Sequence, residues 1–445
     1  MAYGVMGDHS PSDTFSDPSG ARGEWAARVL GYASLGGALE FYNFIIFVFF
    51  AREIGQLFFP VGIPPWLRDL QVYGLFAAGY LARPLGGLVM AHFGDRRGRK
   101  GVFILSLLLM AAPTLAIGLL PTYAQIGASA PLALLALRLV QGVAVGGEVP
   151  GGWIFVAEHV PAWRRGFACG VMSAALALGI LVASLITTLI GSAFDRAEVL
   201  DGVWRVPFLL GGVFGLLAVL LRRRLVETPV FLDLSGSLAT ENGLPLGKAL
   251  TLGKRASAES MVLTWLLASF ILTVILILPG ALQERFAAEP ASALLGNSLA
   301  ILCLIAGSMC AGMVADRHGT DVALLGGAAC LGACQLWLFA SLAPGEHLFF
   351  LPYALTGFFV GVTGAVPSAM VERFPAAFRY SGISLAYNVA YAICAVATPL
   401  IVTALFDIGR MAVSAYLALV CLAVVWLSAR RWRRKGRSTP KPAVS

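Results

Sequence analysis

The sequence has 445 residues, of which 58% are hydrophobic and only 13% are charged. Soluble domains ordinarily carry about 25% charged residues, so this composition excludes an ordinary soluble protein. The formal net charge is +8. We assign this basic excess to membrane topology and contact with anionic membrane lipid, and we expect no binding to nucleic acid.

Twelve apolar stretches are long enough to cross a bilayer, for which a helix needs about 20 residues. In chain order they lie near 27–51, 70–93, 101–120, 131–157, 166–193, 205–222, 258–281, 291–314, 322–343, 348–371, 381–406 and 411–429. Residues 1–24 are polar and lack the apolar core of a secretory signal, so we expect a retained, disordered tail. The predicted fold class is an all-α polytopic membrane protein with twelve transmembrane helices.

The distribution of lysine and arginine predicts the topology, because loops rich in these residues stay in the cytoplasm. Alternate loops and the two termini contain 24 of the 32 basic residues, whereas the intervening loops contain six. Only Arg83 and Arg138 then fall inside predicted spans. We therefore expect a multi-pass protein of a bacterial inner (plasma) membrane with both termini in the cytoplasm.

Two groups of charged residues recur in the second half of the chain. Asp95 after span two matches Asp316 after span eight, 221 residues later, and Glu158 after span four matches Glu372 after span ten, 214 residues later. We interpret the repeat as two pseudo-symmetric six-helix bundles with a substrate site at their interface. The predicted domains are a tail at 1–24, an N-terminal bundle at 25–222, a cytoplasmic linker at 223–257, a C-terminal bundle at 258–430 and a basic cytoplasmic tail at 431–445.

The repeated span ends are candidates for a gate. Opposite charges there can form ion pairs that exist only when the cytoplasmic mouth is closed, which would stabilise one state of a carrier. The glycines permit a tight turn. The candidate gating residues are Gly94, Asp95, Arg96, Arg97, Gly98, Arg99, Glu158, Arg165, Asp316, Arg317, Glu372 and Arg379.

Several short segments are distinctive when taken together. They are GDRRGRK at 94–100, GGALEFYNF at 36–44, RPLGG at 83–87, RLVQG at 138–142 with GGE at 146–148, WRVPF at 204–208, ETP at 227–229, and RYSG at 379–382 with Tyr387-Asn388. These segments resemble the major facilitator superfamily, and within it the metabolite:proton symporter family, which includes carriers for citrate, 2-oxoglutarate, shikimate and proline or betaine. The resemblance implies alternating access and a proton as coupling ion. The family usually has Asp where this chain has Asn43.

Four charged residues lie deep in predicted spans: Glu40, Arg83, Arg138 and Glu148. Each costs about 2.5–3.5 kcal/mol at the centre of a membrane helix, so they must face a cavity or one another. Gln141 and Glu148 are seven residues apart and share a helix face, but Arg138 and Glu148 are about 15 Å apart along the axis and cannot pair directly. We expect their partners on other helices, and we hypothesise that Glu40 approaches Arg138 or Arg83.

The substrate predicted from these residues bears a carboxylate, because a guanidinium offers carboxylates a planar pair of donors. A zwitterion with its positive end against Phe41 or Tyr42 is the other possibility. The candidate substrate-binding and coupling residues are Glu40, Asn43, Arg83, Arg138, Gln141, Glu148, Tyr387 and Asn388. Further polar candidates in the C-terminal half are Trp265, Ser269, Thr273 and Tyr391.

The sequence therefore predicts a secondary active transporter that takes up a small carboxylate-bearing or zwitterionic metabolite with protons and functions as a monomer. We expect no enzyme activity, no metal site and no cofactor, because no convergent nucleophile and base or paired-cysteine motif is visible. A proton-independent facilitator or exchanger is the alternative, since Asn43 cannot carry a proton. A drug:proton antiporter and a non-transporting sensor are further alternatives, although residues 170–190 lack the proline typical of such antiporters.

Overall fold

The computed structural model describes residues 20–60, 62–232, 251, 253–343 and 349–438, and these ranges contain helices and no strand. Twelve helices are long and apolar enough to cross a membrane, as the sequence predicted. We label them α1 to α12. Their bounds are Ala27–Phe49, Trp66–Arg97, Arg99–Leu119, Ser129–His159, Ala162–Ala193, Arg205–Arg223, Lys254–Phe286, Pro290–His318, Thr320–Ser341, Phe350–Arg373, Ala376–Ile408 and Arg410–Lys435.

Three spans are interrupted just before a proline. In α2, the helices Pro65–Leu81 and Arg83–Arg97 meet at Ala82. The π-helical turn Ile271–Ile277 of α7 precedes Leu278–Phe286, and the 3-10 stretch Gly361–Ala365 of α10 precedes Val366–Arg373. Each of the second helices carries proline in its first turn, where the missing N–H and the fixed φ break the regular hydrogen-bond ladder.

The first and last described helices extend beyond the spans α1 and α12. The helix that contains α1 begins at Gly20, and the helix that contains α12 continues to Ser438. The predicted N-terminal tail, up to residue 19, and the last seven residues of the basic tail lie outside the described residues, as does the linker at 233–250 and 252. Short helices also connect the spans at Ala51–Leu57, Tyr123–Ile126 and Arg196–Glu198.

The two halves pack against each other along two seams of small residues. On one seam α5 packs on α8, and a Cβ at Gly166 would overlap the carbonyl oxygen of Gly312. On the other, α11 packs against α2 and α4, where a Cβ at Gly87 would overlap the amide of Asn388. Small residues allow backbones to approach closely where lipid gives no hydrophobic drive for association.

The connections α2–α3, α4–α5, α8–α9 and α10–α11 lie at one end of the molecule, which we call the basic end. The starts of α1 and α7 and the ends of α6 and α12 lie at the same end, because the helices alternate in direction along the chain. This end holds most of the arginines and lysines of the loops. The candidate gating residues lie here, and the candidate substrate residues lie deeper in the bundle.

Candidate transport site and gate

A cavity of about 50 Å³ lies between the two bundles. Ordinary ligand pockets measure about 300–1,000 Å³, so the central space in this state is smaller than a ligand pocket. Its wall is mostly apolar and is contributed by seven spans, α1, α4, α5, α7, α8, α10 and α11. The lining residues are Phe41, Trp153, Ser173, Leu176, Ala177, Ile180, Leu267, Ile271, Leu304, Ser308, Thr363, Tyr387 and Tyr391.

Arg83 lies behind the tyrosines of this wall. Its guanidinium carbon is 4.2 Å from the ring centre of Tyr391, 5.1 Å from that of Tyr387 and 5.4 Å from that of Tyr80. Its Nε donates to Oδ1 of Asn388 at 3.4 Å. The side chain is buried, and its cation is held mainly by aromatic faces.

Arg138 also interacts with Tyr80 and is fully buried. Its Nη1 donates to Oε1 of Gln141 at 2.8 Å and to the Phe44 carbonyl at 3.4 Å, and Gln141 in turn donates to Thr114 at 2.8 Å. One partner of Arg138 is therefore on its own helix, contrary to the expectation that its partners lie only on others. The guanidinium also lies over the ring of Phe47, at 4.2 Å.

The acidic residues of the N-terminal bundle pair with a third arginine, Arg222 of α6. Its Nη2 forms an ion pair with Oε1 of Glu148, and its Nη1 lies 3.6 Å from Oε2 of Glu40. Nη1 also donates to the carbonyl of Phe103 at 3.1 Å, and Ser106 donates to Glu148. The hypothesis that Glu40 approaches Arg138 or Arg83 is wrong, because Arg222 reaches back from the basic end to occupy that position.

The two carboxylates of this cluster are held differently. Glu148 has a close ion pair with Arg222 and a hydroxyl donor in Ser106, whereas Glu40 lies farther from the guanidinium, with Oε2 3.6 Å from Nη1 of Arg222. The two carboxylates also interact with each other. We call Glu40, Glu148, Arg222 and Ser106 the acid cluster, and Glu40 is its loosely held member.

The neighbours of Glu40 on α1 face in different directions. Phe41 lines the cavity. The Tyr42 hydroxyl donates to the Pro207 carbonyl at 2.8 Å, so this tyrosine packs inside the N-terminal bundle and not on the cavity. Asn43 is buried and packs against Gly211 of α6, and its amide has no hydrogen-bond partner among the described residues.

Polar residues of the C-terminal half divide into two groups. Trp265 and Ser269 both contact the Tyr416 hydroxyl, at 3.1 and 3.0 Å, inside their own bundle. Thr273 lies buried in the π-helical turn of α7. Tyr387 and Tyr391, in contrast, line the cavity.

Asn388 and its neighbours on α11 connect the two bundles. The Asn388 amide donates to the Gly146 carbonyl of α4 at 2.7 Å, while its oxygen receives the Arg83 bond. One turn before Asn388, the Ser384 hydroxyl donates to the same carbonyl at 3.4 Å. Two turns before Asn388, the Tyr380 hydroxyl donates to the Gly147 carbonyl at 2.7 Å. The glycine carbonyls of α4 thus act as acceptors for α11.

The candidate gate forms at the basic end, between residues of the two bundles. Asp95 accepts hydrogen bonds from the backbone and hydroxyl of Ser381, at 3.0 and 2.8 Å. Glu158 forms an ion pair with Arg379 at 2.7 Å across the interface and another with Arg99 within its own bundle. The contacts of Asp95 with Ser381 and of Glu158 with Arg379 cross the interface, so both must break before the basic end can open.

The second half of the repeat supplies the matching contact. Asp316 of α8 accepts from the backbone N–H of Gly166 at 2.6 Å and of Phe167 at 2.8 Å, both in the first turn of the helix in α5. Glu372, unlike its counterpart Glu158, stays within its own bundle and accepts from Thr320 at 2.9 Å. The repeat is therefore symmetric at the aspartates and asymmetric at the glutamates.

Four basic residues predicted for the gate take no part in these cross-bundle contacts. Arg96, Arg97 and Arg317 are exposed, with Arg97 over the ring of Phe93 at 5.1 Å. Arg165 is half-buried and has no ion pair within 4 Å of a described residue, although its charge interacts with Glu372 and Arg379 of the other bundle. The positive-inside rule explains the three exposed arginines.

The two glycines predicted for the gate have structural roles. Gly98 immediately precedes α3 and has φ of 103°, a conformation that favours glycine. A Cβ at Gly94 would meet the ring of Tyr380 at 2.5 Å.

Several functional contacts were not predicted from the sequence. Glu227 accepts from the backbone N–H of Arg99 at 3.0 Å and of Lys100 at 3.1 Å, so it caps the start of α3. In the other bundle, a second buried set of charges joins four spans. It consists of Glu259 of α7, Asp321 of α9, Arg373 of α10 and Arg431 with Lys435 of α12.

Comparison with known proteins identifies the family. Residues 29–278, more than half of the chain, match the family model described as Major Facilitator Superfamily. The inner membrane metabolite transport protein YhjE of Escherichia coli K12 is 31% identical over 402 residues, which cover 88% of this chain and 90% of that protein. The chain belongs to the major facilitator superfamily. It is a transporter of the bacterial inner membrane and not an enzyme, in agreement with the resemblance seen in the sequence.

Other superfamily members match over similar lengths. The proline/betaine transporter of Salmonella typhimurium is 28% identical over 90% of this chain and 82% of that protein. The glycine betaine/proline/ectoine/pipecolic acid transporter OusA of Dickeya dadantii is 29% identical over 90% and 81%. Among solved structures, the proton:xylose symporter XylE matches with a TM-score of 0.78 at 16% identity, over 93% of this chain and 96% of that one. That likeness establishes the twelve-helix fold.

Proposed function

We propose that this transporter takes up a small carboxylate-bearing metabolite together with a proton, by alternating access. The observation that carries the proposal is the acid cluster, in which Glu40 and Glu148 share the single guanidinium of Arg222. Two carboxylates and one cation leave one negative charge uncompensated inside the membrane, where charge is costly. Binding of one proton restores neutrality. Glu40 is the proton-binding member, because it lies 3.6 Å from Arg222, whereas Glu148 has the closer ion pair with Arg222 and also accepts from Ser106.

The position of Glu40 links the proton to the substrate. It precedes Phe41, whose side chain lines the central cavity, so a change in α1 caused by the proton reaches the substrate space directly. Arg83 and Arg138 supply the donors for a carboxylate beside the same space. Gln141, Tyr387 and Asn388 orient them through the contacts described above. No cofactor is part of this proposal; the proton is the coupling ion.

Alternating access to the central site depends on the contacts at the basic end. We place the basic end and both termini in the cytoplasm, because positively charged loops stay on that side. The closed cytoplasmic side of this state then opens when the Asp95, Glu158 and Asp316 contacts break. We further propose that the bundles at 25–222 and 258–430, joined by the linker at 223–257, rock as units within a single monomer, as alternating access around a site between two repeats requires.

A proton-independent facilitator or exchanger is the second candidate function. Asn43 favours it, since an amide at that position cannot carry a proton and packs against Gly211 of α6. In that case the acid cluster only stabilises the N-terminal bundle. Carboxylate uptake would then depend on the substrate gradient alone.

Uptake into proteoliposomes separates the two functions. Labelled citrate, 2-oxoglutarate, shikimate, small dicarboxylates, proline and betaine are offered under a pH gradient directed into the vesicles, with and without a protonophore. The proposal expects accumulation of a carboxylate above equilibrium that collapses when the protonophore is added. Equilibration that ignores both the gradient and the protonophore would establish the facilitator or exchanger instead.

A further inference from the structure

Arg83 and Arg138 differ from the other buried arginines of the N-terminal bundle in having no acidic partner. Arg222 is shared by Glu40 and Glu148, and Arg99 pairs with Glu158. For Arg83 and Arg138 the described residues supply only neutral partners: an amide oxygen each, one backbone carbonyl, the Tyr387 side chain and aromatic rings. Both residues are 1% exposed or less. Neither guanidinium thus has a carboxylate in contact with it among the described residues.

The donors of these two guanidiniums are also incompletely used. Nη2 of Arg83, and Nε and Nη2 of Arg138, find no acceptor in the described part of the chain. Buried charged donors are normally paired, since leaving them unpaired costs the full desolvation of the group. Aromatic faces offset part of this cost but bring no net negative charge. Each guanidinium is a planar fork of N–H donors. Both forks therefore keep donors available for acidic groups from outside the protein.

The two forks lie close together and beside the cavity. Nη2 of Arg138 lies 3.3 Å from the place a Cβ would take at Gly79, which precedes Arg83 by one turn of α2. Tyr80 interacts with both guanidiniums, and its ring stacks on Tyr391 at 5.5 Å. Tyr391 is itself part of the cavity wall. Withdrawal of Tyr391 with α11, as the bundles rock, would expose both forks to one substrate molecule.

We infer that the substrate is a short dicarboxylate, with one carboxylate bound by Arg83 and the other by Arg138. The inference rests on the proposed function and adds the charge of the substrate to it. A dianion neutralises both cations and fills both forks. A zwitterion such as proline or betaine would leave one fork empty and bring its own cation close to a guanidinium.

Substrate counterflow with the full-length protein in liposomes tests the inference, because counterflow needs no proton gradient. Vesicles preloaded with succinate take up labelled succinate, and unlabelled competitors are compared. Succinate is expected to compete about 10- to 100-fold better than its monoamide, which has one carboxylate fewer, as loss of a charged hydrogen-bonded pair implies. Arg83→Lys and Arg138→Lys should each reduce this preference, whereas Arg196→Lys, at an exposed arginine, should not.

The wild-type comparison needs no variant and so does not depend on how the variants fold. Equal competition by succinate and its monoamide would overturn the inference. Counterflow of proline or betaine that dicarboxylates do not inhibit would also overturn it, while the proposed uptake of a carboxylate would stand. Counterflow of no carboxylate or zwitterion in the panel would overturn the inference together with the proposed function.

Discussion

Asp95 of the N-terminal bundle holds the start of α11 in the C-terminal bundle, with Ser381 donating to it from its backbone at 3.0 Å and from its hydroxyl at 2.8 Å. Asp316 makes the reverse connection to Gly166 and Phe167 at the start of α5. The first N–H groups of a helix lack acceptors within it and favour an anion. Each bundle therefore supplies an aspartate that caps a helix of the other.

Replacing these aspartates should open the basic end. In Asp95→Asn and Asp316→Asn the charge is lost, which weakens each set of cross-bundle hydrogen bonds by about 1–3 kcal/mol. Spin labels placed at Arg96 and Arg317, in a background without native cysteines, should report a longer or second distance across the basic end. Asp201→Asn, at an exposed acid outside the interface, is the control. An unchanged distance distribution in both aspartate variants would contradict the gating role.

The close approach of α5 and α8 gives a steric prediction. A Cβ at Gly166 would overlap the Gly312 carbonyl oxygen, so Gly166→Ala cannot keep this closed packing. We expect slower transport and a larger fraction of molecules open at the basic end, read by the same spin labels. Gly326→Ala is the matched control, because a Cβ there meets nothing within 4 Å. Wild-type transport in Gly166→Ala would show that this seam does not limit the closed state.

Arg222 is expected to be needed for stability as well as coupling. Its guanidinium reaches Glu40, Glu148 and the Phe103 carbonyl at once, which the single ammonium of lysine cannot reproduce. Arg222→Lys should lower the stability of the purified protein by about 2–4 kcal/mol, seen as an earlier thermal unfolding midpoint in detergent. Arg223→Lys changes the exposed neighbour and should leave the midpoint unchanged. Equal midpoints in the two variants would rule out a tightly bound acid cluster.

The helices and their number could be predicted from the sequence because membrane spans are long, continuous and apolar. The repeat of Asp95 as Asp316 also predicted two related halves, and the residues that cap across the interface are these same aspartates. Such features are local in sequence or follow from a fixed offset. They need no knowledge of which helices are neighbours.

The partner of Glu40 could not be predicted in the same way. Arg222 stands in the run Arg222-Arg223-Arg224 at the end of a span, where the positive-inside rule already explains it. Its long side chain instead folds back into the bundle between α1, α3, α4 and α6. Gly36 on α1 leaves room for this side chain, since a Cβ there would lie 2.8 Å from Nε of Arg222. The cluster of Glu259, Asp321 and Arg431 was missed because these residues come from three spans distant in sequence.

The proton-binding role of Glu40 is tested most directly by comparing Glu40→Gln with the wild type in one set of proteoliposomes. Both proteins are assayed for accumulation of the transported carboxylate under an inward pH gradient and for counterflow without a gradient. The account predicts that Glu40→Gln loses accumulation and keeps counterflow, because substrate still binds but the proton cannot. Accumulation at the wild-type level in Glu40→Gln would contradict the assignment of Glu40 as the coupling residue.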